Sequence, residues 1–222
     1  VPDLPAFEIL HVDADILVVN KPAGLPVLPD GWQPNAPYLL SLLESDFGQP
    51  WVVHRLDKVT SGVMVFARNP EAHRALDLQF QRHETHKVYH ALINGLPRWD
   101  EHTARHPLRM NVGHTHRTKV DGAHGKPSET YFRVLERYQS AAWLEALPKT
   151  GRTHQVRVHA FALGHPLLGD ILYSAPASAL ITRPALHALS LTFIHPTSEE
   201  AVTFAAPYPE DFTAAMGALS NL

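Results

Sequence analysis

Residues 51–67 read "WVVHRLDKVTSGVMVFA". Two apolar runs, Trp51-Val52-Val53 and Val63-Met64-Val65-Phe66, flank the polar stretch 54–62, "HRLDKVTSG". The runs have the composition of strands, and Ser61-Gly62 is a small polar pair suited to ending a tight turn. The reading is therefore strand, loop, strand, with a carboxylate, Asp57, and a guanidinium, Arg55, in the connection. An aspartate in such a place is a turn residue or a cap in most proteins.

Working outward, residues 7–24, "FEILHVDADILVVNKPAG", predict two strands with a turn at Asp13-Ala14-Asp15. Residues 36–47 space Leu39, Leu40, Leu42, Leu43 and Phe47 as a helix does. On the other side, Asn69-Pro70-Glu71 supplies a cap, a first-turn proline and an acid at the positive end of a helix dipole. Ala72, Ala75, Leu76 and Phe80 form that helix's apolar face. "KVYHALING" (87–95) reads as a strand, and residues 96–128 as a long loop or hairpin. A strand pair follows at 129–150, then a turn at Thr150-Gly151 and a helix over 152–164 with Gly164 as its cap. Residues 187–207 predict a closing hairpin and 209–220 a surface helix. Locally paired strands with interspersed helices make this an α+β fold, with one domain over 1–222.

Composition narrows the chemistry. Of 222 residues, 45% are apolar, enough for a sizeable core. There is no cysteine, which excludes disulfides, thiolate metal sites and thiol nucleophiles, and fits a reducing cytoplasm. No apolar run reaches the roughly eighteen residues of a membrane span, and residues 1–10 lack the basic and apolar regions of a signal peptide. The net charge of −3 argues against indiscriminate binding of a polyanion. The average conceals a local excess, however, because residues 103–119 carry Arg105, Arg109, Arg117 and Lys119 and no acid.

Seven of the sixteen histidines cluster, as His114/His116, His83/His86/His90 and His154/His159, none at a spacing diagnostic of a metal site. Ser61 lies outside any G-x-S-x-G, and neither a dinucleotide fingerprint nor a P-loop is present. Asp57 remains, with Tyr89 and Arg152. Arg152 falls at a predicted helix start, where the dipole disfavours a cation, so a carboxylate partner would suit it.

The stretch "HRLDKVTSGVMVFA" resembles the catalytic motif of the RluA-type pseudouridine synthases, H-R-L-D-x-x-T-S-G. Residues 16–27 "ILVVNKPAGLPV", 87–97 "KVYHALINGLP", 125–137 "GKPSETYFRVLER" and 150–173 "TGRTHQVRVHAFALGHPLLGDILY" resemble the same family in order. The similarity spans roughly residues 7–205. Residues 98–124 are the least family-like.

The resemblance implies a mixed, mostly antiparallel central sheet flanked by helices, with the active site in a cleft across it. It implies a cofactor-free, metal-free RNA uridine isomerase of the short form, without an S4 segment. It matches Asp57 to the catalytic aspartate, with Arg152 keeping it ionised and Tyr89 stacking on the uracil. Arg55 is suited to hold a flipped nucleotide, and Lys21, Arg117, Lys119 and Lys126 are candidate phosphate contacts. The partner would be ribosomal or transfer RNA, and the protein a cytoplasmic monomer with no obligatory protein partner and no membrane association. The alternative is an RNA-binding or chaperone protein that keeps the fold without the chemistry. The intact Asp57, Tyr89 and Arg152 favour the enzyme.

Overall fold

The computed structural model describes residues 6–29, 36–113 and 117–221. Its strands are β1 (Glu8–Val12), β2 (Ile16–Lys21), β3 (Trp51–Val52), β4 (Ser61–Ala67), β5 (His86–Asn94) and β6 (Glu101–Ala104). They continue with β7 (Leu108–Val112), β8 (Arg117–Val120), β9 (Thr130–Arg137), β10 (Ala141–Pro148), β11 (Leu186–Ile194) and β12 (Ala201–Ala205). The helices are α1 (Leu39–Phe47), α2 (Pro70–Arg82), α3 (Gln155–Ala162) and α4 (Glu210–Ser220). The chain divides into two compact units, residues 1–87 with 188–207, and residues 88–187 with 208–222.

In the first unit the strands run β1-β2-β4-β11, with β3 paired to β4 and β12 to β11. The registers of β1 with β2, β2 with β4, β3 with β4, and β11 with β12 are antiparallel. Strand β4 is buried along its whole length, as its unbroken apolar run implies. The β1–β2 turn is built by Asp13, whose Oδ1 accepts the backbone N–H groups of Asp15 and Ile16 at 2.8 Å each. Helix α2 starts where its sequence predicts. Asn69 accepts the N–H of Ala72 at 2.7 Å, Pro70 opens the first turn, and Ala72 and Leu76 face inward.

In the second unit the order is β5-β10-β9-β6, again antiparallel, with β7 and β8 as a separate hairpin. Residues 96–128, expected as loop or hairpin, thus also supply an edge strand, β6. Helix α4, expected on the surface, is docked. Phe212, Ala215 and Leu219, at helical spacing, are buried with Leu92, Ala141, Leu168, Ile181 and Ala185. The fold is α+β with mostly antiparallel sheet, as the sequence leads one to expect.

Gly62 closes the motif for a steric reason. Its φ is +122°, and a Cβ there would lie 2.2 Å from the carbonyl oxygen and 2.6 Å from the nitrogen of Ala188 on β11. Neither backbone can yield without breaking the core of the unit. Gly62→Ala should destabilise the protein by about 3 kcal/mol, the sum of backbone strain and overpacking. Thermal denaturation checks this, and an unchanged melting temperature would show that the strands can separate freely.

Candidate active site

The first unit holds the loop that carries Asp57. Strand β3 pairs with β4 through Trp51 opposite Ala67 and Val52 opposite Phe66, and then the chain turns away. The Val65 N–H, one rung further, donates to Nε2 of His54 at 3.1 Å. The His54 ring stacks on Phe80 of α2, with centroids 4.5 Å apart and planes 15° from parallel. Burial, aided by the charge of Lys87, holds the His54 pKa down at about 3. Leu56 is buried, Arg55 is exposed and Asp57 is half-buried. A turn follows, in which the Thr60 N–H donates to the Asp57 carbonyl at 3.0 Å.

The carbonyl of Lys58, next to Asp57, is held from two directions. It accepts the Gly24 N–H at 2.7 Å and the Lys21 ammonium at 3.3 Å. Lys21 is fully buried, and its ammonium also donates to the carbonyls of Pro22 at 2.7 Å and Leu25 at 2.9 Å. This corrects the expectation that Lys21 contacts phosphate. Its charge is met by main-chain acceptors, and its place in the fold is beneath the Asp57 loop.

The second unit holds Tyr89 and Arg152. Tyr89 lies on β5 opposite Ala146 of β10 and is half-buried against the apolar cluster that includes Ala91, Phe132 and Val156. Arg152 precedes α3 and is not part of it, so the helix-dipole argument for its partner does not apply. The turn is organised by Gln155. Its Oε1 accepts from the Thr150 hydroxyl at 2.7 Å and the Arg152 N–H at 3.0 Å. Its Nε2 donates to the Glu129 carbonyl at 2.9 Å. The Arg152 Nε donates to the Pro127 carbonyl at 3.3 Å, which aligns the guanidinium beside the segment carrying Lys126.

One turn into α3 lies a group that reading the sequence missed. Arg157 and Asp170 form a two-pronged ion pair, 2.7 and 2.8 Å, with side chains 4% and 1% exposed. The Arg157 guanidinium also sits 5.1 Å from the centroid of Tyr173. The Tyr173 hydroxyl, in turn, meets the N–H and carbonyl of Thr118 on β8 at 3.1 Å each and Nδ1 of His154 at 2.9 Å. His159 is buried between Thr130, Ser128 and the His106 carbonyl.

The β7–β8 hairpin places Arg109 opposite Lys119. Asp121 lies 3.5 Å from Arg109, 3.9 Å from Lys119 and 3.7 Å from His124, so it gathers three basic groups. Arg117 and Lys126 are exposed. His114 and His116 fall outside the described residues.

Among the described residues, Asp13, Asp15 and His195 bring ligand-type atoms within 4.8 Å of one another. Hydrogen bonding accounts for them. Oδ2 of Asp13 takes Nε2 of His11 at 2.7 Å and of His195 at 3.1 Å, and Oδ1 of Asp15 takes the Asn69 amide at 2.7 Å. No local spacing could reveal the trio, because His195 is far from the others in sequence.

Both units define the class: antiparallel α+β sheets, with an aspartate on a braced strand–loop–strand connection. A family model for RNA pseudouridylate synthases matches residues 15–162, and the chain belongs to that family. It is 40% identical over 208 residues to the dual-specificity RNA pseudouridine synthase RluA of Escherichia coli, covering 93% of this chain and 95% of that one. It is 37% identical over 231 residues to the ribosomal large subunit pseudouridine synthase D of Neisseria meningitidis. That match covers 95% of this chain, which spans 60% of the longer protein. Among solved structures, human RNA pseudouridylate synthase domain containing 1 superposes with a TM-score of 0.77 at 31% identity, covering 92% of this chain and 84% of that one. No helix among the described residues is long and apolar enough to cross a membrane.

Three histidines with lowered pKa values give the protein a defined response to acid. Burial holds His54 at about 3, and His90 and His159 at about 4, against an ordinary value near 6.5. Below pH 6.5 the unfolded chain binds protons at these positions and the folded chain does not. Stability is therefore lost as pH falls from about 6.5 towards 4, by up to about 1.4 kcal/mol per pH unit for each group. Melting temperatures from pH 7 to pH 4.5 check this, and a flat curve would show that the three rings charge in place.

Proposed function

We propose that this chain isomerises uridine to pseudouridine in ribosomal or transfer RNA, with Asp57 as the reacting carboxylate and without a cofactor. In that reaction the N1–C1′ bond breaks, the uracil turns in place, and C5 bonds to C1′. C5 loses its proton and N1 gains one, so no atom or electron is exchanged with a partner. Attack of the carboxylate on C1′, attack on C6, and removal of the 2′ proton to give a glycal all need an ionised acid. Arg152 is suited to keep Asp57 ionised and aimed, and Tyr89 to stack on the base and assist removal of the C5 proton. A stacked uridine must be flipped out at a cost of a few kcal/mol, and Arg55, exposed two residues before Asp57, is suited to hold the flipped strand.

The observation that carries this reading is the bracing of the Asp57 loop, with its neighbouring carbonyl fixed by Gly24 and Lys21. A loop held so firmly is suited to aiming a carboxylate and is not needed for passive binding. The shared family supports the same reading. Asp57→Asn should abolish pseudouridine formation on cellular RNA, measured by nucleoside analysis, while folding and RNA affinity persist. Turnover above trace level in a clean preparation would remove Asp57 from the chemistry and favour an RNA-binding role.

Arg117, Lys119 and Lys126, with Arg109, are exposed in the second unit and suit phosphate contacts that a net charge of −3 would otherwise oppose. Lys119→Ala should weaken RNA binding and flatten its salt dependence by about 0.7 to 0.9 in the log–log slope, one phosphate's worth. An unchanged slope would show that Asp121 already occupies this charge.

A further inference from the structure

We infer that His54 is a positioning residue for the isomerisation, acting as a neutral acceptor that sets where the Asp57 loop leaves the sheet. The inference rests on the proposed function for its catalytic part, and on the first unit's geometry alone for the rest.

Strands β3 and β4 share two rungs, Trp51 with Ala67 and Val52 with Phe66. A further rung would require a backbone acceptor for the Val65 N–H from the β3 side. The chain has bent away at Val53, and an imidazole nitrogen takes the carbonyl's place, with Nε2 of His54 accepting that N–H at 3.1 Å. The side chain thus ends the ladder and releases the main chain into the loop at a fixed point. From there three residues reach Asp57. Leu56 is 4% exposed and seated in the core, so the path between the two is short and tethered. The Phe80 ring, stacked at 4.5 Å, fixes the plane of the imidazole.

The same contact excludes acid–base work by this ring. A bare Nε2 is required to accept from Val65, so the remaining proton belongs on Nδ1. Protonating Nε2 would set two donors against each other across the Val65 contact. Burial makes that protonation unfavourable, and the charge of Lys87 adds to it. His54 therefore contributes geometry to Asp57, and its neutrality is a condition of that geometry.

The test uses two variants and two readouts. Gln at position 54 retains a side-chain acceptor, and Leu does not. In the RNA-free protein, hydrogen exchange at the Val65 amide should be slow in the wild type, faster in His54→Leu and intermediate in His54→Gln. Imidazole ¹⁵N shifts should show the Nδ1–H tautomer persisting to pH 5. In single-turnover assays His54→Leu should lose about 10²-fold in rate, the cost of a misplacement near 1 Å. His54→Gln should recover most of that loss, and RNA affinity should change by less than about threefold in both.

Unchanged Val65 exchange in His54→Leu would overturn the inference, as would full turnover by that variant. An equal loss in both variants, with one limb of the pH–rate profile gone, would replace positioning by proton transfer. If His54→Leu fails to fold, His54→Gln and the ¹⁵N shifts still decide. A protein inactive on every RNA would sink the proposed function, whereas the exchange and ¹⁵N data would still decide whether the hydrogen bond holds the loop.

Discussion

A charged ammonium buried without acceptors is among the least tolerable features a protein can contain, costing several kcal/mol even after relaxation. Lys21 is in that position and is rescued by carbonyls from two segments, Pro22 and Leu25 on its own side and Lys58 across the unit. Because the ammonium cannot be left unsatisfied, the two segments must stay together. One of them carries Asp57. The bend in the "NKPAG" stretch and the course of the Asp57 loop are thereby parts of a single electrostatic constraint, to which Gly24 adds a main-chain bond. Around it the loop has two further restraints: the Val65–His54 contact at its entry and the close approach of Gly62 to Ala188 at its exit.

What could be read from the sequence follows from what is local. The strand–loop–strand around Asp57 was legible because apolar runs and turn residues lie side by side. Helix α2 was legible because Asn69, Pro70 and Glu71 carry its start within three positions. Lys21 was misread because exposure cannot be told from a lysine's identity, and its decisive acceptor, the Lys58 carbonyl, is 37 residues away. The Arg157–Asp170 pair was missed for the same reason: its members are 13 residues apart, with no periodicity to link them. Arg152 was noticed, but for a dipole argument that fails once α3 is seen to begin at Gln155. The docking of α4 was hidden because three apolar residues spaced along a terminal segment suit an exposed helix as well as a packed one.

The electrostatic character of the molecule is also not what its sum suggests. Arginines and lysines outnumbered by acids leave −3 overall, yet Lys21 and Arg157 are committed to the interior. His54, His90 and His159 are held neutral, so the histidine count overstates the groups that can gain charge. Basic groups remain on the β7–β8 hairpin, where Asp121 keeps Arg109 and Lys119 from repelling each other.

The Tyr173 hydroxyl joins that hairpin to the turn before α3, through Thr118 on one side and His154 on the other. The Tyr173 ring is buried and lies 5.1 Å from the buried Arg157 guanidinium, so the joint has little room to give. Hairpin and turn therefore form a lever with a stiff fulcrum: whatever tugs on β8 is felt two residues from Arg152. Hairpin and turn are thus fastened at a single phenol, and neither can shift without straining the other.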